Sequence, residues 1–220
     1  MINLNQFLEA ELLHPRMNAN DLETFIQQAI QNLVVSCLIP SFWVKKVARE
    51  LKESGVQVSA YVGYPFGFQD TATKAFEAKE AIRQGADEID LVWSQTAFHS
   101  GMNWPKIEIA QLSKICHEEG KLLKVTIEAN FLSDQQLQEA CLICQDAGAD
   151  FIKTTTGINS QQTNDEQLVH IRKVLSANVG LIAAGSVDLE ESLSYIKAGA
   201  DRVCTASAFK QLKLWNGKTA

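Results

Sequence analysis

Lys153 directly follows Phe151-Ile152 and directly precedes Thr154-Thr155-Thr156-Gly157. A lysine in such an apolar run is held away from bulk water. Desolvation disfavours the ammonium, so its pKa is expected to fall and a nucleophilic amine to become available. Amines of this kind attack carbonyl carbons and form Schiff bases. The same pattern also suits a lysine whose stem packs inside while its charge reaches solvent. Asp90 interrupts the run Glu88-Ile89-Asp90-Leu91-Val92, and a buried carboxylate needs a cation, which Lys153 or Lys124 can supply. Lys124, Thr126 and Glu128 alternate, so one face of their segment is polar, and alternation also groups Phe151, Lys153 and Thr155. Cys37, in Val34-Val35-Ser36-Cys37-Leu38, reads on its own as core. Cys141 and Cys144 have C-x-x-C spacing, but no second Cys or His pair accompanies them, and they read as small buried side chains on a helix. His14, His99, His117 and His170 show no metal-ligand spacing, and no metal is expected.

These residues need a scaffold, and a repeat supplies one. Gly85-Ala86-Asp87, Gly148-Ala149-Asp150 and Gly199-Ala200-Asp201 each end a helical stretch and lead into a short apolar run. Glycine provides the left-handed residue that stops a helix, and the apolar run then enters a sheet. Strands are expected over 7–13, 33–39, 56–62, 88–92, 122–127, 151–154, 180–184 and 202–205. Helices are expected between them, the first capped by Asn20 with Glu23 in a capping-box spacing, the sixth over 162–175. Runs apolar on both faces belong to parallel sheets covered by helices. Alternation throughout predicts a single-domain (β/α)8 TIM barrel over 1–220, with 210–220 a short last helix or a frayed tail. A doubly wound sheet is less consistent, since no G-x-G-x-x-G follows the first strand. Catalytic groups of such a barrel lie at the C-terminal strand ends, where Lys153 and Asp90 fall.

The chain has 220 residues and a net charge of −6, which gives no electrostatic footprint for nucleic acid or an anionic membrane. No long apolar run or signal-peptide pattern is present, so the expected location is cytoplasmic. Five cysteines do not suggest a disulfide framework.

Several segments resemble the deoxyribose-phosphate aldolases. Phe-Ile-Lys153-Thr-Thr-Thr-Gly is similar to F-[IV]-K-T-S-T-G, and Gly85–Val92 to G-A-D-E-[IV]-D-x-V. Val35-Ser36-Cys37-Leu38-Ile39-Pro40 resembles V-C-V-x-P, Gly63-Tyr64-Pro65-Phe66-Gly67 resembles G-F-P-x-G, and Leu123–Glu128 resembles L-K-V-I-I-E. The resemblance runs from about 8 to 207. It implies cleavage of 2-deoxyribose 5-phosphate to glyceraldehyde 3-phosphate and acetaldehyde, without cofactor, in deoxyribonucleotide catabolism. It assigns Lys153 as nucleophile, Asp90 as organiser of proton transfer and Lys124 as assistant. Cys37 and Thr155 would line the substrate pocket, and Thr156, Gly157, Gly185, Ser186 and Ser207 would hold phosphate. Partners would be a small aldehyde or sugar phosphate, and a homodimer is possible.

Four departures stand out. The family's seventh strand carries a second lysine where this chain has Ile182, an arginine where it has Asp188, and a glycine where it has Ser186. Loss of a neighbouring cation is expected to raise the Lys153 pKa, and a carboxylate at 188 would repel phosphate if it faced the site. At the N-terminus Leu8-Glu9-Ala10-Glu11-Leu12-Leu13 replaces [IL]-D-H-T-x-L. Three functions remain open: the aldolase named above, a Schiff-base lyase for another aldehyde or sugar, and a non-catalytic binding relative.

Overall fold

In a computed structural model that describes residues 3–158 and 163–219, eight parallel strands close on themselves in sequence order. The first half of the chain runs β1 (Leu8–Glu11), α1 (Ala19–Asn32), β2 (Ser36–Ile39), α2 (Val44–Leu51), β3 (Gln57–Val62), α3 (Thr71–Gln84) and β4 (Glu88–Val92). It continues with α4 (Gln95–His99), α5 (Trp104–Glu118), β5 (Leu122–Thr126), α6 (Asp134–Asp146) and β6 (Phe151–Lys153). The barrel is completed by α7 (Asp165–Val174), β7 (Gly180–Ala184), α8 (Leu189–Lys197), β8 (Arg202–Thr205) and α9 (Ala208–Thr219). The expected (β/α)8 barrel is thus the observed fold, and the segment after 209 is helical.

The Gly-Ala-Asp repeat has a shared physical role. Each glycine has positive φ, each alanine is buried, and each aspartate makes two contacts with one residue of the preceding strand. The Asp87, Asp150 and Asp201 N–H groups donate to the carbonyls of Val58, Leu123 and Leu181 at 2.7, 2.9 and 2.8 Å. Their carboxylates accept the N–H groups of the same three residues at 3.1, 2.7 and 2.8 Å. The repeat therefore stitches β3 to β4, β5 to β6 and β7 to β8 where the strands begin. Asp201→Ala leaves the Leu181 N–H without this acceptor. The expected loss is about 1–3 kcal/mol in urea unfolding, and an unchanged midpoint would contradict the role.

Local signals set the other boundaries. The first helix is capped two residues earlier than expected: Asn18 accepts from the Asn20 and Asp21 N–H groups, and Asp21 answers the Asn18 N–H. Glu23 instead pairs with Lys46 at 2.8 Å. The seventh helix starts at Asp165 behind the Asn164 cap, and the expected start at Gln162 lies outside the described residues. Gly67 has φ +67, and a Cβ there would lie 2.1 Å from the Trp93 carbonyl oxygen, so the turn after β3 admits no side chain.

The strand residues divide cleanly. Ala10, Cys37, Val58, Ile89, Val125, Ile152 and Val203 pack against the helices in the main core. The alternate residues point inward, where Leu38, Tyr61, Val92, Ile182, Ala184 and Cys204 form a second, small apolar cluster. Much of the rest of the interior is polar or charged, with Glu9, Ser36, Ser59, Glu88, Asp90, Lys124, Thr126 and Lys153 all buried. Cys141 and Cys144 are both buried on the core face of α6. Among the described residues no helix is long and apolar enough to cross a membrane, and no group of His, Cys, Asp or Glu is placed to hold a metal ion.

Candidate active site

Lys153 ends β6 and points into the barrel, fully buried. Its Nζ donates to Tyr61 Oη at 2.6 Å and to Asp90 Oδ2 at 2.9 Å. Thr126 Oγ1 donates to the other Asp90 oxygen, Oδ1, at 2.6 Å. Three neighbouring strands thus fix the lysine: β3 brings Tyr61, β4 brings Asp90 and β5 brings Thr126. The buried carboxylate has its cation, and that cation is Lys153.

The Lys153 amine is not poised as a lone buried lysine would be. Burial alone lowers its pKa, but Asp90, with Cys204, Tyr61 and Glu11, outweighs burial and holds the pKa well above the ordinary lysine value. This reverses the fall expected from burial. It agrees with the rise expected from Ile182, which is the Cα partner of Lys153 on β7 and sits in the apolar interior cluster. Burial also pushes the Tyr61 phenol well above its usual range.

Lys124 points inward one step below. It lies 2.7 Å from Glu9 Oε1 and 2.5 Å from Glu88 Oε2, while Arg202 Nη1 reaches the same two carboxylates at 2.8 and 2.7 Å. Two cations and two carboxylates form a closed buried layer. The Glu9 carboxyl is held at about 2, burial being outweighed by Lys124, Arg202 and Lys153. The expected polar face of β5 is therefore real, but Lys124 makes its contacts in this layer and not with Lys153.

Cys37 corrects another expectation. Its Cα partners Ala10 and Val58 both face the helices, and Cys37 packs with them in the outer core. Strand parity turns Leu38 inward instead, so Cys37 does not line the substrate pocket. Burial raises its thiol pKa to about 12.

Thr155 and Thr156 lie just past Lys153, and both are held by Glu128. Thr155 Oγ1 donates to Glu128 Oε2 at 2.9 Å, and the Thr156 N–H donates to Oε1 at 2.6 Å. Glu128 takes this position with φ +51, an unusual conformation for a non-glycine residue and one often found at functional sites. Thr156, Gly157, Gly185, Ser186 and Ser207 come together around one cavity of about 410 Å³ at the C-terminal end of the barrel, joined by Glu11 and Lys210. Asp188 does not face that cavity. It caps α8, accepting from the Glu190 and Glu191 N–H groups at 2.8 and 2.9 Å. A second cavity of about 550 Å³ opens beside Tyr61 and Tyr64, walled by Leu13, Met17, Trp43 and Ile158.

Sequence reasoning missed Tyr61, Glu11 and Lys210. Tyr61 shares the parity of the polar Ser59 on β3, and Glu11 has the same parity as Glu9. Those signals were present, but contact with Lys153 or with the cavity depends on closure of the barrel.

Comparison with known proteins agrees with the fold and the motifs. The family model described as "DeoC/LacD family aldolase" matches residues 7–205. The deoxyribose-phosphate aldolase of Caldicellulosiruptor saccharolyticus is 37% identical over 205 residues, covering 92% of this chain and 93% of its own. That of Streptococcus gordonii is 35% identical over 221 residues, covering 100% and 98%. Among solved structures, QR15, an aldolase, superposes with a TM-score of 0.93 at 29% identity, covering 100% of this chain and 98% of its own. A tetrameric deoxyribose phosphate aldolase from Aeropyrum pernix gives 0.91 at 22% identity over 98% and 92%, a likeness of fold alone. The chain belongs to the DeoC/LacD aldolase family.

Proposed function

We propose that this protein is a Schiff-base aldolase that cleaves 2-deoxyribose 5-phosphate to glyceraldehyde 3-phosphate and acetaldehyde. The observation that carries the reading is the buried Lys153 amine, held between Asp90 and Tyr61 inside the barrel. The relatives' names supply the substrate.

Lys153 first transfers a proton to Asp90, its direct hydrogen-bond partner, and attacks the C1 aldehyde carbon. The carbinolamine loses water as Asp90 returns the proton to the leaving hydroxyl, which gives the iminium. Asp90 then accepts the proton of the C3 hydroxyl, directly or through water, and the C2–C3 bond breaks. Its electron pair flows into the iminium and forms an enamine, while C3 becomes the aldehyde carbon of the departing triose. Protonation at C2 and hydrolysis release acetaldehyde and the free lysine. The iminium is the electron sink, so the scheme calls for no cofactor. Thr126 keeps Asp90 oriented, and Tyr61 holds the amine at the reacting position. Lys124 contributes by keeping the charged layer below in balance.

Borohydride trapping tests this reading. Incubation with the sugar phosphate or with acetaldehyde, followed by reduction, is expected to leave an adduct that peptide mapping places on Lys153. No adduct at neutral or mildly alkaline pH would sink it.

The raised Lys153 pKa fixes a pH dependence. The free amine is the attacking form, so kcat/KM is expected to climb as pH rises from neutrality into the alkaline range. Ile182→Lys sets a second cation beside Lys153, which disfavours its ammonium. The alkaline climb is expected to move down by about one pH unit, with about tenfold more activity at pH 7. A profile that does not move would remove the electrostatic account of Ile182. Asp188 is best left alone in such a variant, because losing its cap costs about 0.5–2 kcal/mol.

A further inference from the structure

The Thr156, Gly157, Gly185 and Ser207 donors that would be expected to hold a phosphate are already engaged within the protein. Around the 410 Å³ cavity, the Thr156 N–H donates to Glu128 and the Gly157 N–H to Thr155 Oγ1, at 2.6 and 3.1 Å. The Gly185 N–H donates to the Cys204 carbonyl at 3.2 Å. Ser207 donates through its N–H to Thr205 Oγ1 at 3.2 Å and through Oγ to the Val187 carbonyl at 2.7 Å. Charge in the cavity comes from two side chains of opposite sign, Lys210 and Glu11.

Glu11 is held there by its strand. It ends β1 with its side chain on the inner face, and Cys204 Sγ donates to its Oε2 at 3.6 Å. Glu11 is half-buried and lines the cavity; burial raises its carboxyl above the usual carboxylate range, and the nearby Lys153 charge opposes that rise and favours the carboxylate. A phosphate dianion offers oxygen acceptors and negative charge, so a carboxylate beside it repels it and gains no hydrogen bond. A sugar hydroxyl, by contrast, donates to a carboxylate.

We propose that Glu11 is a specificity-determining residue that offsets Lys210 in this cavity, so that the site accepts the free hydroxymethyl end of a 2-deoxy sugar about as readily as a phosphorylated end. The inference rests on the Schiff-base reading for its catalytic readout, but phosphate affinity can be measured without turnover.

Two measurements test it. The first compares kcat/KM for cleavage of 2-deoxyribose 5-phosphate and of 2-deoxyribose. In the wild type the two are expected to lie within about tenfold of each other. Glu11→Gln and Glu11→Thr shift the ratio toward the phosphate by about tenfold, through KM and not kcat. The second is calorimetric titration with inorganic phosphate, which should bind about tenfold more tightly to Glu11→Gln, with the gain erased by adding Lys210→Ala. A wild-type preference for the phosphate of more than about a thousandfold, or phosphate affinity unchanged in both Glu11 variants, would overturn the proposal. If neither sugar turns over while Glu11→Gln still gains phosphate affinity, the Schiff-base reading fails and the charge assignment in the cavity stands.

Discussion

Lys153→Met is expected to abolish carbon–carbon bond cleavage, with kcat/KM falling by at least about 10⁴-fold, equivalent to about 5.5 kcal/mol of transition-state stabilisation. The thioether has nearly the length of the lysine stem but no amine, so the iminium cannot form. The variant also leaves Asp90 buried without its cation, although Thr126 still donates to it. Some loss of stability is therefore expected, and circular dichroism must accompany the assay. Lys153→Arg is the companion. It keeps a positive charge near Asp90 but offers no amine for a Schiff base, so it should stay inactive with a smaller loss of stability. Normal turnover by either folded variant would refute the mechanism, whatever borohydride shows.

The second large effect is on stability. Lys124→Met removes one of two cations from a sealed layer that holds Glu9 and Glu88. Arg202 then faces both carboxylates alone. Breaking a buried pair from one side costs about 3–5 kcal/mol, because the remaining charge is desolvated and uncompensated. Against a total stability of about 5–15 kcal/mol this is a severe loss, visible as a fall in Tm of about 10 °C. Replacing Glu88 with Gln in the same chain restores charge balance and should recover part of the loss. The opposite pattern, near-normal stability with failed trapping at Lys153, would show that Lys124 acts in the chemistry.

Together the two variants separate the barrel interior into two levels. The upper level, with Lys153, Asp90, Thr126 and Tyr61, is arranged around one amine. The lower level, with Lys124, Glu9, Glu88 and Arg202, neutralises itself and supports the level above. Both are polar and inward-facing, and β4 and β5 contribute a residue to each. Cavities lie beside the upper level, at Tyr61 and at Glu11.

The amino-acid pattern alone specifies the barrel and the location of its chemistry. Apolar runs buried on two faces, alternating with capped helices, allow few other folds. The Gly-Ala-Asp repeat marks three helix ends because the left-handed turn and the aspartate bridge are local devices. Lys153 and Asp90 were legible for a related reason: a charged residue inside an apolar strand must meet a partner. Tertiary structure decided what local pattern leaves free. Alternation groups residues by face but does not say which face is inner. Cys37 and Leu38 were therefore interchangeable until the outer helices claimed Ala10, Cys37 and Val58. Strand stagger decided that Asp90 meets Lys153, two strands away, and leaves Lys124, its own Cα partner on the neighbouring strand, to Glu9 and Glu88. Asp188 could face the cavity or cap a helix, and the α8 N-terminus, with N–H groups in need of an acceptor, settled it. The sign of the Lys153 pKa shift was also beyond sequence, since it is a contest between burial and a carboxylate at 2.9 Å. Pairings across a closed barrel join residues far apart in the chain, and their distances exist only once the last strand has met the first.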